Sequence, residues 1–250
     1  RNARLRRAGC ASWYYVHSFH DRCAFYDGPP ERAIRFEEAW AYLGYDHEVH
    51  WGRRDKDMYR QMHGSTRAYH VWGPLWSAHV RPVHSVTEQV EQRRSEMKID
   101  SIVAVFDTSF GSGSPYGAEG AREFYDALVA ILDRPNWACR LLLFKPKIYE
   151  DEFQDSPEAA ASLRRLLSHP RCLKIETDIA PGAVIAEADL TVSIAYTSTT
   201  VEALGARRRA FYFDPGGKFR ESYYERFPNL VAHDREALAQ LCEYWLQMPD

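Results

Sequence analysis

The stretch best equipped for chemistry is Tyr196-Thr197-Ser198-Thr199-Thr200-Val201-Glu202-Ala203-Leu204. Its hydroxyl residues gather where an apolar run ending at Ile194 gives way to a helix-forming pattern. A helix beginning there presents backbone N–H groups with no partner inside the helix, together with the positive end of its dipole. That arrangement receives a phosphate without a metal ion. Glu202, one turn further on, has two acceptor oxygens suited to the paired hydroxyls of a ribose. Thr199-x-x-Glu202 also has the spacing of a capping box, which needs no ligand. The box accounts for Thr199 and Glu202 but gives Thr197 and Ser198 nothing to do, so ligand binding explains more of the segment.

Other polar groups follow apolar runs in the same way. Asp107-Thr108-Ser109-Phe110 leads into a glycine- and serine-rich loop through Gly117, where small residues let backbone N–H groups approach a phosphate. The spacing is neither a P-loop nor the dinucleotide fingerprint, and an ordinary flexible loop explains it equally well. Lys145-Pro146-Lys147 sets two cations beside a rigid proline, a natural partner for a diphosphate, though surface lysines are common. Asp178-Ile179-Ala180-Pro181 offers backbone groups to a base and Ile179 to its face, and Asp214-Pro215-Gly216-Gly217 is another turn at a strand end. Metal chemistry finds little support. The five cysteines are scattered, with no CxxC pair and no Cys/His cluster of metal-site spacing. Asp55-Lys56-Asp57 has the Asp-x-Asp spacing but lies far from these groups in sequence.

The elements that must position these residues alternate. Ile102-Val103-Ala104-Val105-Phe106, Leu141-Leu142-Leu143-Phe144, Cys172-Leu173-Lys174-Ile175, Leu190-Thr191-Val192-Ser193-Ile194 and Ala210-Phe211-Tyr212-Phe213 are short apolar runs, as buried parallel strands are. Between them lie helical patterns. Phe124, Leu128, Ile131 and Leu132 share one face, Ser156-Pro157 is an N-cap followed by proline, and further helices are expected over 183–188, 199–206 and 235–246. Strands separated by single helices require crossovers and a parallel sheet, and ligands of such sheets bind at the carboxyl ends of the strands. The first third reads as the tail of a similar domain, with strands over 12–16, 47–51 and 68–72 and helices over 30–43 and 56–62. A domain opening on its fourth or fifth element is expected of a piece of a longer polypeptide. The polar segment 83–98 reads as a linker or exposed helix. The expected organisation is therefore residues 1–84 as a partial N-terminal lobe, 85–100 as linker and 101–250 as a nucleotide-binding domain.

Composition sets the outer bounds. The chain of 250 residues is 45% hydrophobic and 27% charged, ordinary for a soluble globular protein. Its net charge of −3 gives no general attraction to nucleic acid. Scattered cysteines read most simply as reduced thiols in the cytoplasm. No apolar run reaches the roughly 20 residues of a membrane span. The basic start, residues 1–7, reads first as a helix end and second as a weak patch for peripheral membrane contact.

At the residues just described, the sequence resembles the donor-binding half of GT-B glycosyltransferases of the bacterial surface-polysaccharide and lipid A type. The likeness rests on Ala188-Asp189-Leu190 and its strand, Thr197-Ser198-Thr199-Thr200 with Glu202-Ala203 and Gly205, then Ala210 and its strand. Trp51-Gly52 and Val71-Trp72-Gly73-Pro74 are similar to the last strands of the acceptor-side lobe. The resemblance implies an α/β, GT-B-like fold: a Rossmann-like parallel-sheet C-terminal domain preceded by a partial second Rossmann-like domain. It implies donor phosphates on Thr197, Ser198 and Thr199 and ribose on Glu202, and Lys145-Pro146-Lys147 is similar to a basic strand-end motif near the donor phosphate. Ser109 and Ile179 join the expected donor site from the strand-end loops read above. No cofactor or metal is implied beyond a UDP- or CMP-linked nucleotide-sugar donor. The acceptor is a glycan or lipid-linked glycan, handled in the cytoplasm or at the inner membrane face. The glycine loop that relatives carry near the start of the acceptor lobe is absent, as is a Gly-Gly pair before the turn. The base is therefore sought among His17, His20 and Asp21, each more often structural than catalytic in such a position. Two alternatives remain. A nucleotide-sugar 2-epimerase shares the fold but calls for acidic and histidine residues where the turn has hydroxyls and Glu202. A non-catalytic nucleotide- or sugar-binding module of a larger assembly protein is the other.

Overall fold

The computed structural model describes residues 2–16, 44–61, 65–110, 114, 116–147, 153 and 156–249. The expected helix over 30–43 and the candidates His17, His20 and Asp21 lie outside the described residues. The chain divides into two compact units, the first formed by Arg1–Leu75 with Phe219–Arg226 and the second by Trp76–Lys218 with Phe227–Asp250.

In the first unit, helix α1 (Asn2–Arg7) precedes a parallel sheet in the order β1 (Trp13–Tyr15), β2 (His47–His50), β3 (Ala68–Val71). Asp46 fixes its lower edge, accepting hydrogen bonds from the Ser12 N–H (3.0 Å) and hydroxyl (2.9 Å) and from the Arg6 guanidinium (2.8 Å). Helix α2 (Arg53–Tyr59) starts three residues earlier than the apolar pattern suggests. Gly52 is its N-cap, and the Gly52 N–H donates to the buried Asp55 carboxylate at 3.2 Å. The Asp55 side chain thereby satisfies the N–H of the N-cap residue, the reach-back half of a capping box, and stabilises that start.

The second unit opens with helix α3 (His84–Glu96). The rest runs β4 (Ser101–Phe106), α4 (Gly117–Leu132), β5 (Arg140–Lys145), α5 (Pro157–Ser168), β6 (Cys172–Lys174), α6 (Pro181–Glu187), β7 (Leu190–Ile194), α7 (Ser198–Gly205), β8 (Ala210–Phe213), β9 (Val231–Ala232) and α8 (Arg235–Gln247). All pairings are parallel and the strand order is β6-β5-β4-β7-β8-β9. Numbered from its own first strand, this is the doubly wound 3-2-1-4-5-6 order, in which the chain reverses direction across the sheet between strands one and four. Residues paired in register share a face, and the two faces differ in what covers them. Ile102, Ala104, Phe106, Leu141 and Leu143 pack with Val86 and Val90 of α3, with Ala183, Val184 and Ile185 of α6 and with Ala203 of α7. The opposite face is aromatic, with Phe124 and Tyr125 of α4 ringed by Phe110, Phe144, Phe153 and Phe213.

The segment 85–100, expected as a linker, is for most of its length a core helix. Two valines four residues apart are fully buried on an otherwise polar helix. That is too sparse a stripe to register as amphipathic periodicity, yet enough to seat the helix. The division between units accordingly falls at residues 75–76, with 219–226 returning to the first unit. No helix among the described residues is long and apolar enough to cross a membrane.

Candidate functional site

The reversal point lies between β4 and β7, and the loops at their carboxyl ends border a crevice by topology alone. Pairing sets Phe106 level with Lys145 on one side and Ser193 on the other. The next residues up are Asp107, Thr108 and Ser109 after β4, and Ala195, Tyr196 and Thr197 after β7. Ser109 and the Thr197-Ser198 pair therefore flank the reversal point from two adjacent strands, with Ser109 exposed.

The hydroxyls of the turn divide into two sets. Thr199 is buried, and its Oγ1 lies 2.7 Å from Ser193 Oγ and 3.1 Å from Thr197 Oγ1. Thr200 is buried and donates to the Phe211 carbonyl at 3.2 Å. These bonds bind α7 to β7 and β8. Thr197 and Ser198 stay half-buried at the helix N-terminus. Thr197 is the N-cap, yet its hydroxyl turns back to the Ile194 carbonyl at 3.2 Å rather than capping a helix N–H. The capping box does not form, because the helix begins at Ser198 and places Thr199 inside the first turn. Glu202 is instead buried beside the Ser198 hydroxyl, which bonds its side chain. Burial pushes its carboxyl above the usual range, partly offset by that bond. Its backbone carbonyl accepts from Ser77 Oγ at 2.8 Å, tying the first residues of the unit to α7.

The two lysines part company. Lys145 is largely buried and its ammonium donates to the Thr177 carbonyl at 2.9 Å. Desolvation lowers its pKa, opposed by the charges of Asp107 and Asp178. The exposed Lys147 points its N–H, not its ammonium, at the Asp107 carboxylate. Lys145 thus fastens the loop after β6, while Lys147 remains open to solvent. Ile179, on that same loop, packs half-buried against the core.

Two buried carboxylates carry more of the local structure than their sequence setting suggests. Asp107 accepts from the Tyr125 hydroxyl at 2.9 Å as well as from the Lys147 N–H, and burial raises its pKa to about 7. Asp214 accepts from the Tyr116 hydroxyl at 2.8 Å and lies 3.1 Å from His233 Nδ1. Each acid directly follows a strand, which is their one cue in the sequence. Their partners Tyr116, Tyr125 and His233, like Ser193 within β7, carry no sequence cue because only tertiary packing brings them close.

The fold has solved counterparts at low identity. HepE of Anabaena, solved in complex with UDP-glucose, is 12% identical over 98% of this chain and 65% of its own, with a TM-score of 0.55. The E. coli trehalose-6-phosphate structure bound with UDP-2-fluoro glucose is 12% identical over 99% of this chain and 63% of its own, with a TM-score of 0.51. The alpha,alpha-trehalose 6-phosphate synthase of Burkholderia multivorans is 12% identical over 99% and 60%, also at 0.51. This chain therefore spans less than two thirds of the length of each. Similarity at that level shows the fold, the Rossmann-like α/β fold of GT-B glycosyltransferases. No curated protein sequence matches the chain. One family model does, over residues 2–242, and by that match the chain belongs to the family of polysaccharide biosynthesis PFTS motif proteins.

Proposed function

We propose that this chain binds a nucleotide-sugar donor in its second unit and transfers the sugar to a glycan or lipid-linked glycan acceptor during polysaccharide biosynthesis. The observation that carries the proposal is that Ser109 and the Thr197-Ser198 helix start flank the sheet's reversal point from adjacent strands, with buried Glu202 one turn into the same helix. The family's description and the UDP-sugar complexes of two similar structures agree with that reading. Ala195-Tyr196-Thr197-Ser198 also shares Thr-Ser, after an aromatic residue, with the motif letters in the family's description.

The donor's phosphates would lie against the α7 N–H groups and the Thr197 and Ser198 hydroxyls, with Lys147 supplying a solvent-side cation. When the bond from the sugar to the diphosphate breaks, charge grows on the departing phosphate, and preset donors at a helix N-terminus stabilise it there. The new glycosidic bond takes the acceptor oxygen, whose proton passes to a base for which His17, His20 and Asp21 are the candidates. Glu202 would orient the ribose, and UDP is the leading donor nucleotide.

A thermal-shift series with UDP, CMP, GDP and CDP tests this reading, since a ligand bound only by the folded state raises the apparent melting temperature. UDP is expected to give the largest rise. Glu202→Ala is expected to weaken UDP binding about tenfold, the loss of about 1.4 kcal/mol. A melting temperature unmoved by all four nucleotides would overturn the proposal.

A further inference from the structure

At the other end of the same sheet, where β7 and β8 begin, three consecutive arginines line one cavity of about 520 Å³. Asp189, Arg207, Arg208, Arg209, Trp245 and Met248 form its wall. Successive side chains normally diverge, yet here three successive residues border one cavity. Arg207 has φ 59°, in the left-handed region. It follows the last turn of α7 in a closed helix-ending motif, with the Arg207 N–H donating to the Leu204 carbonyl at 2.9 Å and the Arg208 N–H to the Ala203 carbonyl at 2.8 Å. That position favours glycine, because any Cβ is strained there. Arginine thus stands where the fold alone would be better served by glycine, and strain of this kind concentrates at binding sites.

Charge points the same way. The only acid among the described residues of the wall is Asp189, whose carboxylate accepts from the Ile102 N–H at 2.8 Å. Arg207 and Arg208 form no ion pair among the described residues. A single cation past a helix C-terminus is explained by the helix dipole. Three arginines lining one cavity exceed that need. Guanidinium groups form two parallel hydrogen bonds to phosphate oxygens, and the indole of Trp245 provides a flat apolar wall beside them.

We infer that this cavity binds a phosphate group, carried either by a soluble phosphorylated ligand or by an anionic lipid headgroup. It lies at the opposite end of five-residue β7 from the crevice, a strand of about 16 Å at roughly 3.3 Å per residue, and owes nothing to the donor reading.

Trp245 is a built-in reporter, its indole N–H donating to the Asn229 carbonyl at 2.9 Å. The full chain, ¹⁵N-labelled, is titrated with inorganic pyrophosphate at ionic strength held constant with sodium chloride, and the Trp245 indole resonance is assigned through Trp245→Phe. A saturable shift is expected. Arg207→Gly, combined with Arg208→Gln, should weaken it at least tenfold. Because glycine suits the backbone at residue 207, Arg207→Gly alone should leave the melting temperature unchanged or higher, which separates lost binding from lost folding. In a second arm, vesicles of phosphatidylcholine with and without phosphatidylglycerol are sedimented with the chain. Binding that requires phosphatidylglycerol and disappears in the double variant, without a pyrophosphate response, assigns the phosphate to a lipid headgroup. A pyrophosphate response lost in the double variant assigns it to a soluble ligand. Silence in both arms overturns the inference, as does a response equal in wild type and variant or reproduced by chloride alone. Pyrophosphate bound at the crevice would move other resonances and persist in the arginine variants, so the two readings stand or fall separately.

Discussion

Each hydroxyl in the turn after β7 has a separate role. Thr199 and Thr200 spend theirs on Ser193 and the Phe211 carbonyl, inside the protein. Thr197 holds the N-cap position without capping a helix N–H. Aspartate is among the best residues for an N-cap and complements the positive end of the helix. A purely structural turn would therefore gain about 0.5–1 kcal/mol from Thr197→Asp. If a phosphate docks there, the same carboxylate repels it. The expected outcome is a variant at least as stable as the wild type in thermal melts whose UDP binding, by calorimetry, falls about tenfold or more, corresponding to about 1.4 kcal/mol. Unchanged affinity would remove the phosphate from Thr197. The turn was legible in the sequence because more hydroxyls crowd this strand-to-helix junction than a helix cap requires. The split between inward and outward hydroxyls was not, since it depends on which strand each reaches. Lys145 shows the same limit. Its position at a strand end was readable, but its commitment to the Thr177 carbonyl depends on how the loop after β6 folds back.

The elements differ in how plainly the sequence declares them. Strands β4, β5, β7 and β8 are buried on both faces, so each is an unbroken apolar run, and their parallel direction follows from the alternating helices, whereas their order across the sheet does not. Strand β9 has two residues and is recognisable only once β8 is in place beside it. Helix α3 looks like a linker in sequence because two buried valines among polar residues do not make an apolar stripe. Those valines nevertheless join the core of the second unit. Val90→Ala removes two buried carbons and leaves a void, at a cost of about 2 kcal/mol. In a chain of this size the melting transition should fall by roughly 4–8 °C. An exposed linker would tolerate the change within about 0.5 kcal/mol. A melting temperature within one degree of wild type would return α3 to the role of connector. The same helix carries exposed pairs such as Arg94 with Glu91 at 2.8 Å, whose removal should matter far less.

For the whole molecule, buried acids set how stability responds to pH. Asp107 in the second unit and Asp55 in the first are each raised to about 7, in both cases chiefly by burial. Unfolded, each has an ordinary carboxylate pKa near 3.8. Between about pH 4 and 7 the folded chain therefore holds protons that the unfolded chain has released. Stability then falls as pH rises through that interval, because its slope follows the protons bound unfolded minus those bound folded. Asp46 and Glu236 act in the opposite sense: hydrogen bonds and a nearby arginine lower their pKa, so their contribution fades as pH drops below the ordinary carboxylate range. The two effects occupy different ends of the scale and can be measured apart. Asp107→Asn supplies a permanently neutral side chain that can still accept from Tyr125 or the Lys147 N–H. Near pH 4, where Asp107 is protonated in the folded chain, wild type and variant should differ least in favour of the variant. As pH rises from about 4 to 7, the unfolded wild type gains stability by releasing the Asp107 proton that the folded wild type still holds, so the variant gains on it; above about 7 both states have released it and the gain levels off. Thermal melts of both proteins across pH 4–8 should show the difference in melting temperature moving toward the variant up to about pH 7 and levelling beyond it. A difference that stays constant over that range would mean that Asp107 is ionised throughout, held charged by Lys145 and Lys147, and that the acid beside the crevice is a fixed anion rather than a proton store.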